Sequence, residues 1–106
     1  MAFQLGSALM DACVLAVLTR GDTYGYVLTQ QVRGIMDISE STLYPVLRRL
    51  QKDGCLETYD QSFQGRNRRY YKITEMGKEK YKEYIKEWDE YKFKIDKILL
   101  GGLENE

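Results

Sequence analysis

A mainly α fold with one small β-hairpin follows from three observations, all in or just after residues 41–77. First, STLYPVLRRLQKDG reads as a helix closed by a glycine, with Leu43, Val46, Leu47 and Leu50 on one apolar stripe. Second, CLETYDQSFQGRNRRYYKI holds two short β-type runs on either side of a basic loop. Third, a long helical pattern opens at Thr74. Helix, strand, basic loop, strand is the order of a winged helix-turn-helix, here followed by a long C-terminal dimerisation helix.

The chain has 106 residues, 43% apolar and 30% charged, which suits one folded domain with a helical appendage and excludes a disordered tail. A core of this size is marginal alone, so a second copy is expected. The expected division is a winged helix-turn-helix over residues 1–74 and a dimerisation helix over residues 75–106. Residues 1–19 lack the basic start of a secretory leader. No apolar run reaches the ~18 residues that span a bilayer. A cytoplasmic protein with no membrane partner is therefore expected. Cys13 and Cys55 stand apart with no CxxC spacing and are read as buried thiols. The chain has no histidine, which removes His triads, His metal sites and the commonest general base. Nothing replaces them, so no enzyme activity, cofactor or metal site is expected.

Taken in order, the first helix is expected over residues 5–19. It is apolar nearly all round, from Ala8 and Leu9 through Cys13 to Leu18. Such a helix needs cover on more than one side, from the core and from a second chain or the last helix. Arg20, Gly21 and Asp22 end it. A second helix is expected over residues 23–36, with Thr23 as N-cap and Val27, Leu28, Val32, Ile35 and Met36 at helical spacing. The third is expected over residues 40–52, capped by Ser39 and stopped by Asp53-Gly54. Pro45 is read as close enough to its first turn for the missing N–H to cost little. The β runs are expected at residues 56–59 and 68–73, with residues 60–67 an extended hairpin tip around Gly65. In the second run Arg68, Tyr70 and Lys72 form the wetter face, and Arg69, Tyr71 and Ile73 the drier one. Thr74 then caps a helix that reaches about residue 100 and stops at Gly101-Gly102.

Net charge is zero overall, but it is unevenly spread. Residues 1–40 carry two Arg against four acidic groups, and residues 73–106 seven Lys against nine. Residues 41–72 carry seven Lys/Arg against Asp53, Glu57 and Asp60, a net +4. A phosphate backbone senses such a local basic face, not the global sum. Ser39, Ser41, Thr42 and Tyr44 sit at the N-terminal end of the third helix, the end a recognition helix presents to DNA. Arg48 follows Tyr44 one turn later on the same face, whereas Arg49, about 100° away, is expected to point to solvent. Arg66, Asn67 and Arg68 cluster at the hairpin, where a wing tracks the backbone or enters the minor groove. Phosphate contacts are expected from Arg48, Arg66, Arg68 and Lys52.

Bulky residues recur along the last helix at Tyr81, Tyr84, Trp88, Tyr91, Ile95 and Ile98, the 3–4 alternation of a heptad seam. With Leu9 and Cys13 of the first helix they form the expected dimer interface. Trp88, the only tryptophan, is also a candidate platform for a flat aromatic effector between two copies.

These residues together resemble the PadR family of transcriptional regulators. The likeness covers about residues 8–80. Its pieces are Tyr24-Gly25-Tyr26, Thr42-Leu43-Tyr44-Pro45, Leu47-Arg48-Arg49-Leu50, Asp53-Gly54, residues 65–69 with Tyr70-Tyr71, then Thr74 and Gly77. The single C-terminal helix with one Trp is similar to the short subfamily. The resemblance implies a winged-helix homodimer in which each last helix packs on the partner's first helix, and repression relieved by a small molecule or another signal. It makes Ser41, Thr42, Tyr44, Arg66 and Arg68 face double-stranded DNA, with Tyr24 and Tyr26 near the backbone. Ser41 stands where family members often have glycine. The reading is thus a homodimeric repressor on an inverted-repeat operator, with half-sites about one or two turns apart. One alternative is a repressor that senses small molecules at Trp88. The other is a winged helix that binds protein and not DNA.

Overall fold

The computed structural model describes residues 7–34 and 38–104. Its elements are α1 (Ser7–Thr19), β1 (Thr23–Tyr24), α2 (Gly25–Arg33), α3 (Glu40–Lys52), β2 (Leu56–Phe63), β3 (Arg66–Ile73) and α4 (Glu75–Glu104). The strands form one antiparallel sheet in the order β1-β3-β2. Val14, Leu15 and Leu18 of α1, Leu28 and Val32 of α2, and Leu43, Leu47 and Leu50 of α3 make the core. Cys55, Leu56 and Ile73 close it from the sheet side. The mainly helical winged fold with a long last helix is therefore present, and its hairpin is part of a three-stranded sheet.

Several local expectations are corrected. Thr23 is not an N-cap: it pairs with Tyr71 in β1, and α2 starts at Gly25 behind an extended Tyr24 (φ −93°, ψ 164°). The sheet ladder gives Thr23 and Tyr24 the backbone partners that a first helical turn would leave open. Leu5, Ile35 and Met36 lie outside the described residues.

The hairpin has no extended tip. β2 and β3 pair without a break from Leu56↔Ile73 to Phe63↔Arg66, leaving only Gln64-Gly65 as the turn. Both turn residues have positive φ, 53° and 78°. That is the primed turn whose twist matches the strands, and Gly65 supplies the conformation most side chains resist.

α3 keeps its expected bounds, but Ser39 makes no side-chain cap bond to the helix backbone. Its hydroxyl pairs instead with those of Ser41 (2.8 Å) and Thr42 (3.2 Å). Pro45 lies inside the helix, beyond the first turn. The Ser41 carbonyl thereby loses its i+4 donor, at an exposed position where water can replace it.

α4 begins at a tightly joined corner. The Gly77 N–H donates to Thr74 Oγ1 (3.0 Å), Thr74 Oγ1 donates to the Gly54 carbonyl (2.6 Å), and the Thr74 N–H donates to the Cys55 carbonyl (3.0 Å). Thr74 is thus the expected N-cap. A Cβ on Gly77 would run into the Cys55 carbonyl oxygen and the Ile73 side chain, so only glycine seats α4 here. Tyr81 and Tyr84 pack against the core, and the rest of α4 projects, giving extents of 63 × 26 × 21 Å. The helix also runs through Gly101-Gly102 to Glu104. Helical glycine costs about 1 kcal/mol each but does not end a helix without a left-handed cap. No helix among the described residues is long and apolar enough to cross a membrane.

Candidate nucleic-acid interface

The candidate interface is built where the start of α2, the exposed side of α3 and β3 converge. A cleft of about 440 Å³ lies between them, lined by Tyr24, Gly25, Tyr26, Tyr44, Asn67, Arg68, Arg69 and Tyr71. Gly25 is part of its construction: a Cβ there would stand 3.2 Å from the Tyr44 hydroxyl and 3.3 Å from its ring. The missing side chain lets α3 bring Tyr44 against the first turn of α2.

Cross-strand register sets the rest. Tyr24 and Tyr59 both face Tyr70 across the sheet, with ring centroids at 5.5 Å (edge-on) and 5.4 Å (stacked). Phe63 closes on Tyr24 at 6.0 Å. The Arg68 guanidinium lies 4.6 Å over the Tyr24 ring and 5.7 Å from Phe63, a double cation–π seat. Its Nε is buried and makes no hydrogen bond. Asp22 accepts a hydrogen bond from the Tyr59 hydroxyl (2.7 Å), which pushes that phenol's pKa up. Burial does the same to Tyr71. Tyr59 and Tyr71 therefore stay neutral at physiological pH.

The structure thus brings Tyr24, Tyr26, Tyr44, Asn67 and Arg68 together in one cleft. Ser39, Ser41 and Thr42 lie exposed at the N-terminal end of α3, and Arg48 and Lys52 lie exposed farther along it. Arg66 is exposed beside the turn. None of these six lines the cleft. Arg69, missed from the sequence, does line it, and also pairs with Asp60 at 3.7 Å. A β3 that starts at Arg66 puts Asn67, Arg69 and Tyr71 on one face by simple alternation, the signal that the expected loop concealed.

Arg49 does not point freely to solvent. It makes a two-pronged bond to Asp11 of α1, Nη2 to Oδ1 at 2.6 Å and Nη1 to Oδ2 at 2.9 Å. Tyr84 of α4 donates to the same carboxylate at 2.9 Å. Burial and that bond to Asp11 raise the Tyr84 pKa.

The expected interface residues Leu9, Cys13, Tyr81, Tyr84 and Trp88 line a shallow apolar groove between α1 and α4 of the one chain, with Ala12, Ala16 and Ile85. Tyr91 rests against Trp88 at 6.2 Å, and Ile95 and Ile98 follow on the projecting part of α4. Cys13 and Cys55 are free thiols, each pushed up in pKa by burial. Among the described residues no cluster of His, Cys, Asp and Glu could hold a metal ion.

Known proteins are similar to this chain in sequence or in fold. An uncharacterised protein of Lysinibacillus sphaericus is 39% identical over 90% of this chain and 91% of its own length. A solved structure from Streptococcus mutans is 42% identical, with TM-score 0.87 over 95% of each chain. PadR of Bacillus subtilis, solved with operator DNA, shares the fold at TM-score 0.65 and 20% identity, over 73% of this chain and 46% of that one. The model of the PadR-like family of transcriptional regulators matches residues 14–83, from the middle of α1 into the third turn of α4. The chain belongs to that family, whose members are regulators of transcription and not enzymes.

Proposed function

We propose that the protein is a homodimeric repressor that binds an inverted-repeat operator. The cleft between α3 and the wing carries this reading: four tyrosines, Asn67 and two arginines converge there. Its donors suit the phosphate oxygens of a nucleic-acid backbone. Beside it the exposed Ser39, Ser41 and Thr42 meet base edges, while Arg48, Arg66 and Lys52 add phosphate contacts. The fold is shared with a PadR that was solved with operator DNA. Residues 75–106 serve as the dimerisation helix, and the α1–α4 groove is completed by the partner's α4. The test is a gel shift with DNA from upstream of the protein's own gene. A complex displaced by unlabelled copy but not by scrambled duplex supports the reading, and absence of any such complex at low salt counts against it.

A second reading, small-molecule sensing, is favoured by the partly exposed Trp88 in an apolar groove. In one chain the groove holds only about 180 Å³. That is below the ~300 Å³ of ordinary ligand pockets, so a second copy has to complete any effector site. Quenching of Trp88 fluorescence by planar aromatic cations tests it, and a silent Trp across a broad panel argues against it.

A further inference from the structure

Asp11 is the only buried charged side chain among the described residues, 2% exposed in a helix that is apolar apart from Ser7 and Thr19 at its ends. An isolated carboxylate there is costly, and it persists only where its charge and lone pairs are met. Its partners come from two other helices, Arg49 of α3 and Tyr84 of α4. Apolar residues would suffice to pack three helices together. A forked arginine bond adds a fixed plane and a fixed distance. With Arg49 drawn onto α1, the roll of α3 about its axis is set. Arg48, about 100° away, is held outward. The charge of Arg49 is met internally, so Arg48 is the member of the pair left for phosphate. Tyr84 also lines the α1–α4 groove.

We propose that Asp11, Arg49 and Tyr84 form a lock that positions the recognition helix, and that Tyr84 makes this lock depend on how α4 is seated. What covers the groove, the second copy in the reading above, is thereby felt at α3. The proposal rests on the DNA-binding reading for its consequence, but not for its geometry.

The test compares Tyr84→Phe, which keeps the ring and removes one O–H, and Arg49→Lys, which keeps the charge and removes the fork. Both are measured beside the unaltered protein at matched oligomeric state. Hydrogen exchange of the α3 amides is read in the free protein, and affinity is read on the upstream duplex and on a scrambled one. Each variant is expected to exchange faster along α3 and to lose several-fold more affinity for the upstream duplex than for the scrambled one, with an unchanged salt slope. The double variant is expected to lose no more than the worse single one. Unchanged α3 exchange, or equal losses on both duplexes that follow the fall in melting temperature, would overturn the proposal. If the unaltered protein forms no specific complex, the DNA reading fails instead, and α3 exchange alone decides the lock.

Discussion

Gly77 and Asp11 show how single positions set the frame around the interface. Gly77 has no room for a methyl group, because Cβ would meet both the Cys55 carbonyl and Ile73. Gly77→Ala should therefore cost about 1–3 kcal/mol, the usual penalty of overpacking, read as a lower midpoint in urea denaturation. A midpoint within error of the unaltered protein would show that the corner yields easily. Asp11→Ala removes the carboxylate and leaves Arg49 and Tyr84 without their acceptor. Since Arg49 remains 43% exposed and can turn to water, a loss of roughly 2–4 kcal/mol is expected, not more. Thr74 was legible in the sequence because a cap is a local device: residue type and the helical pattern after it suffice. Asp11 with Arg49 was not. Its two ends are 38 residues apart, and a lone acid in an apolar run carries no sign of its partner.

At the scale of elements, the wing was the least legible part. Its existence, order and charge were readable, but its length was not. Asp60, Gln61 and Ser62 look like loop residues, yet they are strand residues because both faces of the outer hairpin are wet and no apolar alternation is needed. The ladder of Tyr59, Tyr70, Tyr24 and Phe63 under Arg68 gives this hairpin packing that a solvated tip would lack. The strained spot is Gln64, the one described residue other than glycine with positive φ. Asn tolerates that conformation better and forms the preferred Asn-Gly turn. Gln64→Asn should raise stability by about 0.5 kcal/mol with no loss of DNA affinity. Thermal melts and anisotropy check the two halves, and a destabilised variant would contradict the turn assignment. β1 escaped sequence reading for a different reason. Two residues are too short for any period, and Thr23 is a strand residue only because β3 is there to pair with it.

At the scale of the molecule, a long helix with bulky residues at 3–4 spacing was plain in the sequence, and α4 is that helix. What could not be read was its double attachment. Its first turns belong to the winged domain through Thr74, Gly77, Tyr81 and Tyr84, and the remainder projects beyond that domain. Ile98 is 76% exposed in the single chain, far from the core. Charging the seam with Ile95→Asp and Ile98→Asp together should leave the winged domain folded while shifting the species in light scattering from dimer to monomer. Retention of the dimer would place the interface elsewhere.

In the proposed function, affinity comes from phosphate contacts around α3 and β3. The most direct measurement is the salt dependence of affinity for the upstream duplex, for the unaltered protein and for Arg66→Ala. Loss of one such contact is expected to weaken binding to specific and scrambled duplexes alike, with a slope of log affinity against log salt shallower by about one charge. An unchanged slope with an altered base preference would contradict it.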